Sequence, residues 1–183
     1  LVRKPGGLSF EQTSTLPVAW STVHVSIRLA GLQSTHSTLV HGATGGVGTK
    51  AVEYSQWLKV DTAGSAGKPC KHQLLRTAGI AVACSSRSAT SFTCGLVQLL
   101  CGCRLKCVLN SFSSDFISAS FAALGQGSCF AEIGKRSVWS SQRQALAVPH
   151  ITYTVVALDT DIANDGAWMH GVLHLLMKRV RVK

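Results

Sequence analysis

Acid is scarce in this chain: eight Asp and Glu stand against 18 Lys and Arg, for a formal charge of +10. A balance of that size can signal nucleic acid, anionic lipid or a polyanionic ligand. Its distribution argues against a nucleic-acid module, because only Lys178-Arg-Val-Arg-Val-Lys183 is dense in cations and no run interleaves aromatics with them. Long apolar runs are lacking as well. Nothing reaches the roughly 18 residues of a membrane-spanning helix, although only 14% of residues are charged and mean hydropathy is positive. A surface partly covered by a partner fits this composition better than a bilayer. Paired Cys-x-x-Cys knuckles are missing, so the cluster Cys94, Cys101, Cys103 and Cys107 makes a poor zinc site. The seven cysteines are odd in number, and several fall in apolar runs where a thiol acts as a small hydrophobe. That favours an intracellular reducing compartment or organelle over a disulfide framework. No Met start and no charged-then-apolar leader is seen, as expected of a processed product or a piece of a longer chain. Also absent are the Gly-x-Ser-x-Gly nucleophile elbow, the Gly-Lys-Ser/Thr ending of a phosphate loop and a Tyr-x-x-x-Lys pair. His170 and His174 stand four apart on a predicted helix, but the glutamate of the zinc-protease motif is missing and no third ligand is evident.

What the chain does have is Leu39-Val-His-Gly-Ala-Thr-Gly-Gly-Val-Gly48. This reads as a short strand, Thr38 to His41, a glycine turn, and a helix from about Gly46 to Leu58. Glycine lets a backbone approach a pyrophosphate, and a helix N-terminus offers free N–H groups with a positive dipole end. Before it, residues 1 to 37 form a helical lead-in, with Ser9 and Gln12 spaced as a capping box and Pro17 near a helix start or kink. After it the pattern alternates. Strands are expected at Val60–Gly64, Ile80–Cys84, Leu105–Asn110, Cys129–Ile133 and Thr152–Leu158. Helices are expected at His72–Gly79, Ser91–Leu100, Asp115–Leu124 and Trp168–Lys178. Such βαβ units predict a Rossmann-like α/β fold: a doubly wound, mostly parallel sheet with helices on both faces, over residues 38 to 183.

Ligands of such sheets lie beyond the carboxyl ends of the strands. Thr44, Gly45, Gly46, Val47 and Gly48, then Ser65, Ser86, Asn110, Gly134, Lys135 and Asp159, all fall at expected ends of that polarity. The loop Gly64 to Lys71 discriminates between cofactors. An acid closing the second strand would bind the ribose hydroxyls of NAD, whereas Ser65, Lys68 and Lys71 offer donors to a 2′-phosphate, so NADPH is expected. Asp61 is the competing acid, but it falls inside the strand.

Several stretches, in order, are similar to the enoyl reductase domain of type I polyketide synthases and animal-type fatty acid synthases, a branch of the medium-chain dehydrogenase/reductase superfamily. They are Leu8-Ser-Phe-Glu11, Thr15-Leu-Pro-Val18, Val40 to Gly48, Ser85-Ser-Arg87, Val108-Leu-Asn-Ser111, Phe116 to Leu124 and Phe130-Ala-Glu-Ile-Gly-Lys135. The resemblance implies NADPH-dependent reduction of an α,β-unsaturated thioester on an acyl carrier protein, with Lys135 and Asp159 as proton donors or organisers. It also implies a substrate-binding domain, carrying a tyrosine proposed as a proton donor, that this chain lacks. Leu105-Lys-Cys107 and the Lys68–Lys71 loop depart from the family pattern. Two expectations follow: an NADPH-binding half not competent alone, or a catalytically inactive accessory subunit of a larger protein assembly.

Overall fold

A computed structural model describes residues 2–100, 102–113, 115–136 and 138–181. Cys101 of the cysteine cluster, and Val182 and Lys183 of the basic tail, lie outside them. The chain enters through α1 (Phe10–Ser14) and α2 (Pro17–Ala30). Ser9 caps α1 reciprocally with Gln12, each side chain accepting from the other's backbone N–H. Pro17 opens α2, where a missing N–H costs nothing, and Gly31 ends it in the left-handed conformation, φ 58°.

Strand and helix then alternate as β1 (Ser37–Val40), α3 (Gly46–Trp57), β2 (Asp61–Ala66), α4 (Pro69–Thr77), β3 (Val82–Ser85), α5 (Ala89–Leu100), β4 (Leu105–Asn110), α6 (Asp115–Ala123) and β5 (Leu124–Glu132). The chain continues through α7 (Ser141–Ala147), β6 (Thr152–Val155), α8 (Leu158–Asn164) and α9 (Gly166–Arg181). All six strands are parallel, in the order β3-β2-β1-β4-β5-β6, and the chain has the expected Rossmann-like α/β fold.

Two cores result, one on each face, and the strand residues divide between them with a period of two. Val40, Cys107, Leu109, Cys129 and Ala131 pack with Trp20, Val23, Val52 and Met169 under α2, α3 and α9. Leu39, Val108 and Phe130 point the other way, onto Phe92, Ile117 and Phe121 of α5 and α6. Burying each of these large side chains contributes roughly 2–3 kcal/mol, and a slip of one residue in register would exchange the two sets. The register is held on both faces at once.

Three expected positions are corrected. β2 runs on to Ala66, so Ser65 lies inside the strand rather than in a loop. α4 starts at Pro69, which places Lys71 in its first turn and Lys68 at its N-cap. β6 stops at Val155, and Asp159 belongs to the first turn of α8. The last ladder bond runs from Val156 N–H to the Glu132 carbonyl at 2.8 Å, after which Thr160 and Asp161 donate to the Ala157 carbonyl and wind the chain into a helix. Asp159 and Asp161 there sit favourably at the positive end of the new helix. β5 begins five residues earlier than expected, and α7 and α8 are additional elements.

Candidate functional site

β1 and β4 are neighbours, yet the chain winds away from them toward opposite edges of the sheet, and a crevice opens at their carboxyl ends. The glycine turn lines it. Gly42 takes φ +59°, a left-handed conformation, and its carbonyl accepts Gly45 N–H at 2.8 Å. Gly48 is buried against this turn: a Cβ there would stand 2.3 Å from the Gly42 oxygen and 2.7 Å from Ala43 Cα. Gly45 and Gly46 are exposed, with nothing within 4 Å of a Cβ placed on Gly46. Gly45 is the N-cap of α3 and makes no side-chain cap bond. The leading N–H groups of the helix thus face open space with its positive end. Thr44, Gly45, Gly46, Val47 and Gly48 come together as one turn, and its open backbone fits an anionic pyrophosphate.

At the end of β2 lies a basic corner. A Cβ on Gly67 would lie 2.8 Å from Arg87 Nε and 3.1 Å from Ser86 Oγ, so Arg87 folds across the strand end. Lys68 and Lys71, both exposed, enter α4 beside it. Asp61 begins β2 at its amino end, paired with Ser37 of β1 and a strand's length from the corner. Ser65 does not join the corner: it is fully buried, with its hydroxyl 3.2 Å from Gly42 N and 3.3 Å from His41 Nδ1. Its place in β2 turns it under the glycine turn, away from the basic corner. Arg87 was not among the expected ligands. The strand order would have disclosed it, because residues following β2 and β3 share a corner.

Asn110 and Gly134 are joined through a residue that sequence reasoning passed over, Glu132. Asn110 is fully buried, and its Nδ2 donates to Glu132 Oε2 at 2.6 Å and to the Phe112 carbonyl at 2.8 Å. Its Oδ1 accepts Phe112 N–H at 3.2 Å. Gly134 N–H donates to Glu132 Oε1 at 2.7 Å, and a Cβ on Gly134 would meet that oxygen at 2.7 Å. Burial pushes the Glu132 carboxyl pKa up, against the pull of these donors. The Asn110 amide and the Gly134 N–H therefore spend their bonds on fixing the loops after β4 and β5. Above them is a pocket of about 490 Å³ between Ser111, Phe112, Phe116, Gly134, Lys135 and Arg136.

Lys135 Nζ and Asp159 Oδ2 stand 2.7 Å apart with side chains 77% and 65% exposed. The hydrogen bond from Lys135 holds the Asp159 carboxyl below its ordinary range. Water screens this pair, so it adds little to stability. The structure brings the two residues together and places Lys135 at the pocket. Away from the crevice, the His170 and His174 rings meet edge to face at 4.5 Å. Among the described residues, no three His, Cys, Asp or Glu side chains converge as a metal site, and no helix is long and apolar enough to cross a membrane.

No family model matches the chain. It is 31% identical over 185 residues to the highly reducing polyketide synthase apmlA of Arthrinium phaeospermum, covering 96% of this chain and 8% of that one. Among solved structures, the CurK enoyl reductase superposes with a TM-score of 0.91 at 28% identity, over 98% of this chain and 54% of that one. The nucleotide-binding subdomain of the enoylreductase domain of PpsC from Mycobacterium tuberculosis gives 0.79 at 27% identity, over 90% of this chain and 93% of that one. The chain belongs with the polyketide synthase enoyl reductases. It spans a small part of the curated synthases it matches, about half of a solved enoyl reductase, and nearly all of a solved nucleotide-binding subdomain. Such relatives do not favour an inactive accessory subunit. Within an enoyl reductase of the medium-chain dehydrogenase/reductase type, the chain accounts for the nucleotide-binding portion.

Proposed function

We propose that this chain binds NADPH and supplies the nucleotide half of an enoyl reductase. Its substrates are α,β-unsaturated acyl thioesters on an acyl carrier protein, reduced when a substrate-binding half completes the cleft. One observation carries the cofactor assignment: the glycine turn opens beside a corner built from Arg87, Lys68 and Lys71, while the acid of β2 sits at the other end of the strand. When bound, NADPH supplies the hydride that goes to the β-carbon of the thioester. The N–H groups leading α3 hold the pyrophosphate, and Arg87 with Lys71 holds the 2′-phosphate. The loops pinned by Glu132 shape the pocket for the reacting end of the cofactor. Lys135 faces that pocket and stabilises the enolate forming at the thioester oxygen, or passes a proton to the α-carbon; Asp159 orients its ammonium.

Titration of the purified chain with NADPH and NADH, followed by nicotinamide fluorescence, tests the reading. NADPH is expected to bind the more tightly. Arg87→Ala weakens NADPH by about 10- to 100-fold, the worth of charge-assisted bonds to a phosphate, and leaves NADH nearly unchanged. No binding at about 1 mM cofactor, or equal losses for both nucleotides, defeats the assignment.

A further inference from the structure

Under the glycine turn runs a line of hydrogen bonds whose direction is set by its two ends. Gly42 N–H can only donate, and its acceptor is the Ser65 hydroxyl at 3.2 Å. The Phe116 carbonyl can only accept, and it takes the Ser120 hydroxyl proton at 2.6 Å. Between these serines lies the buried His41 ring, Nε2 at 2.9 Å from Ser120 Oγ and Nδ1 at 3.3 Å from Ser65 Oγ. Ser120 has spent its one proton on Phe116, so toward His41 it can only accept; Nε2 must carry a hydrogen. Burial keeps the imidazole neutral by lowering its pKa to about 3. Its Nδ1 is then bare and accepts the Ser65 hydroxyl proton. Each donor is used once along the whole line, from Gly42 through Ser65, His41 and Ser120 to Phe116.

We propose that His41, fixed as the Nε2–H tautomer, is the positioning residue of the dinucleotide turn. It aims the Ser65 hydroxyl so that its oxygen faces Gly42 N–H, and it ties that turn to α6 on the far side of the β1/β4 crevice. The ring packs at 4.5 Å from Phe112 and 5.3 Å from Phe92, while Ser111 Oγ donates to the His41 carbonyl at 3.4 Å. Turn, pocket wall and helix are thereby joined through one buried side chain. This inference rests on the cofactor reading for its consequence, and on the hydrogen-bond line for its structure.

Nitrogen-15 histidine spectra of the full chain, with amide exchange at Gly42, test the structural part without cofactor. The Nε2–H pattern is expected, together with a protected Gly42 amide whose exchange rises about tenfold or more in Ser65→Ala. For the functional part, His41→Asn places an acceptor near the former Nδ1 and keeps NADPH affinity within about threefold, whereas His41→Leu weakens it about tenfold. An Nδ1–H tautomer, unchanged Gly42 exchange in Ser65→Ala, or equal affinities in the two His41 variants overturns the proposal. Should the unaltered chain fail to bind NADPH, the cofactor reading falls, and the tautomer with Gly42 exchange alone decides whether His41 positions the turn.

Discussion

Mild acid is expected to destabilise this domain through two buried histidines before most carboxylates titrate. Burial lowers His41 to about 3, and His24 falls to about 4 through burial first and then the charges of Arg179 and Arg28. His24 is held by the Tyr54 hydroxyl at 3.0 Å and stacks on Trp20. Both native values lie below the ordinary 6.5, so below that pH the unfolded chain takes up protons that the native chain refuses. Stability is complete above about 6.5 and falls by about 1.4 kcal/mol per pH unit for each histidine, until His24 levels off near 4 and His41 near 3. At pH 5 the loss is about 2 kcal/mol for His41 and less for His24, where water in the adjoining pocket screens the arginine charges, still a large share of the ~5–15 kcal/mol that holds a domain folded. Glu132 runs the other way: its raised pKa favours the native state as protons are added, so it offsets part of the loss. Urea midpoints measured from pH 7.5 to 5 give the slope, and His41→Asn should reduce it by one proton's worth. A flat profile in the unaltered chain, or the same slope in His41→Asn, would refute the account of buried neutral imidazoles.

Four substitutions probe the crevice. Gly48→Ala drives a methyl to 2.3 Å from the Gly42 oxygen and is expected to cost about 1–3 kcal/mol or prevent folding; an unchanged thermal midpoint counts against the close packing of turn on helix. Gly46→Ala is its counterpart, since nothing lies within 4 Å of the added Cβ: the midpoint holds while NADPH binding drops, and undiminished binding would remove Gly46 from the site. Glu132→Gln must turn an NH2 toward either the Asn110 amide or Gly134 N–H, donor against donor, at about 1–3 kcal/mol by denaturant titration. A Glu132→Gln variant as stable as the parent would mean the acid is not the tie between the loops. Lys135→Met leaves the thermal midpoint unchanged, because the ion pair is exposed and screened; a marked fall would show that Lys135 is structural.

The fold was legible because its signals are local. The run Leu39 to Gly48 reads as strand, turn and helix from residue types alone, and Ser9 with Gln12 caps α1 as their spacing predicts. The site was legible in its backbone and much less so in its side chains. In a strand, neighbouring side chains face opposite ways, so a boundary displaced by two residues turned Ser65 from a surface donor into a buried prop. Asn110 closes β4 as expected, but pairing with Glu132 across the sheet absorbs it, and register between strands is a long-range fact. A hint was present: Glu132 is an acid ending an apolar run, and acids are almost never fully buried unless paired. Arg87 reaches Gly67 at the end of β2 only because β3 lies beside β2, which no window along the chain reveals.

The charge excess gains a location from the same geometry. Lys68 and Lys71 follow β2, Arg87 follows β3, and Lys135 and Arg136 follow β5, so five cations collect at the carboxyl edge of the sheet. The positive end of α3 points to that edge as well. Asp159 is paired with Lys135 there, whereas Asp61 is held at the amino end of β2. A basic surface evolved for nucleic acid would run as a stripe across exposed helices with aromatics between the cations. Here the cations surround a crevice whose floor is set by buried, mutually satisfied polar groups: Ser65 and His41 below the turn, Asn110 and Glu132 below the pocket. In the proposed reading the two layers divide the work. Backbone N–H groups and basic side chains meet the dinucleotide's phosphates, and the buried layer holds the backbone of the turn and of the pocket loop in place against the mutual repulsion of these groups when no anion lies between them.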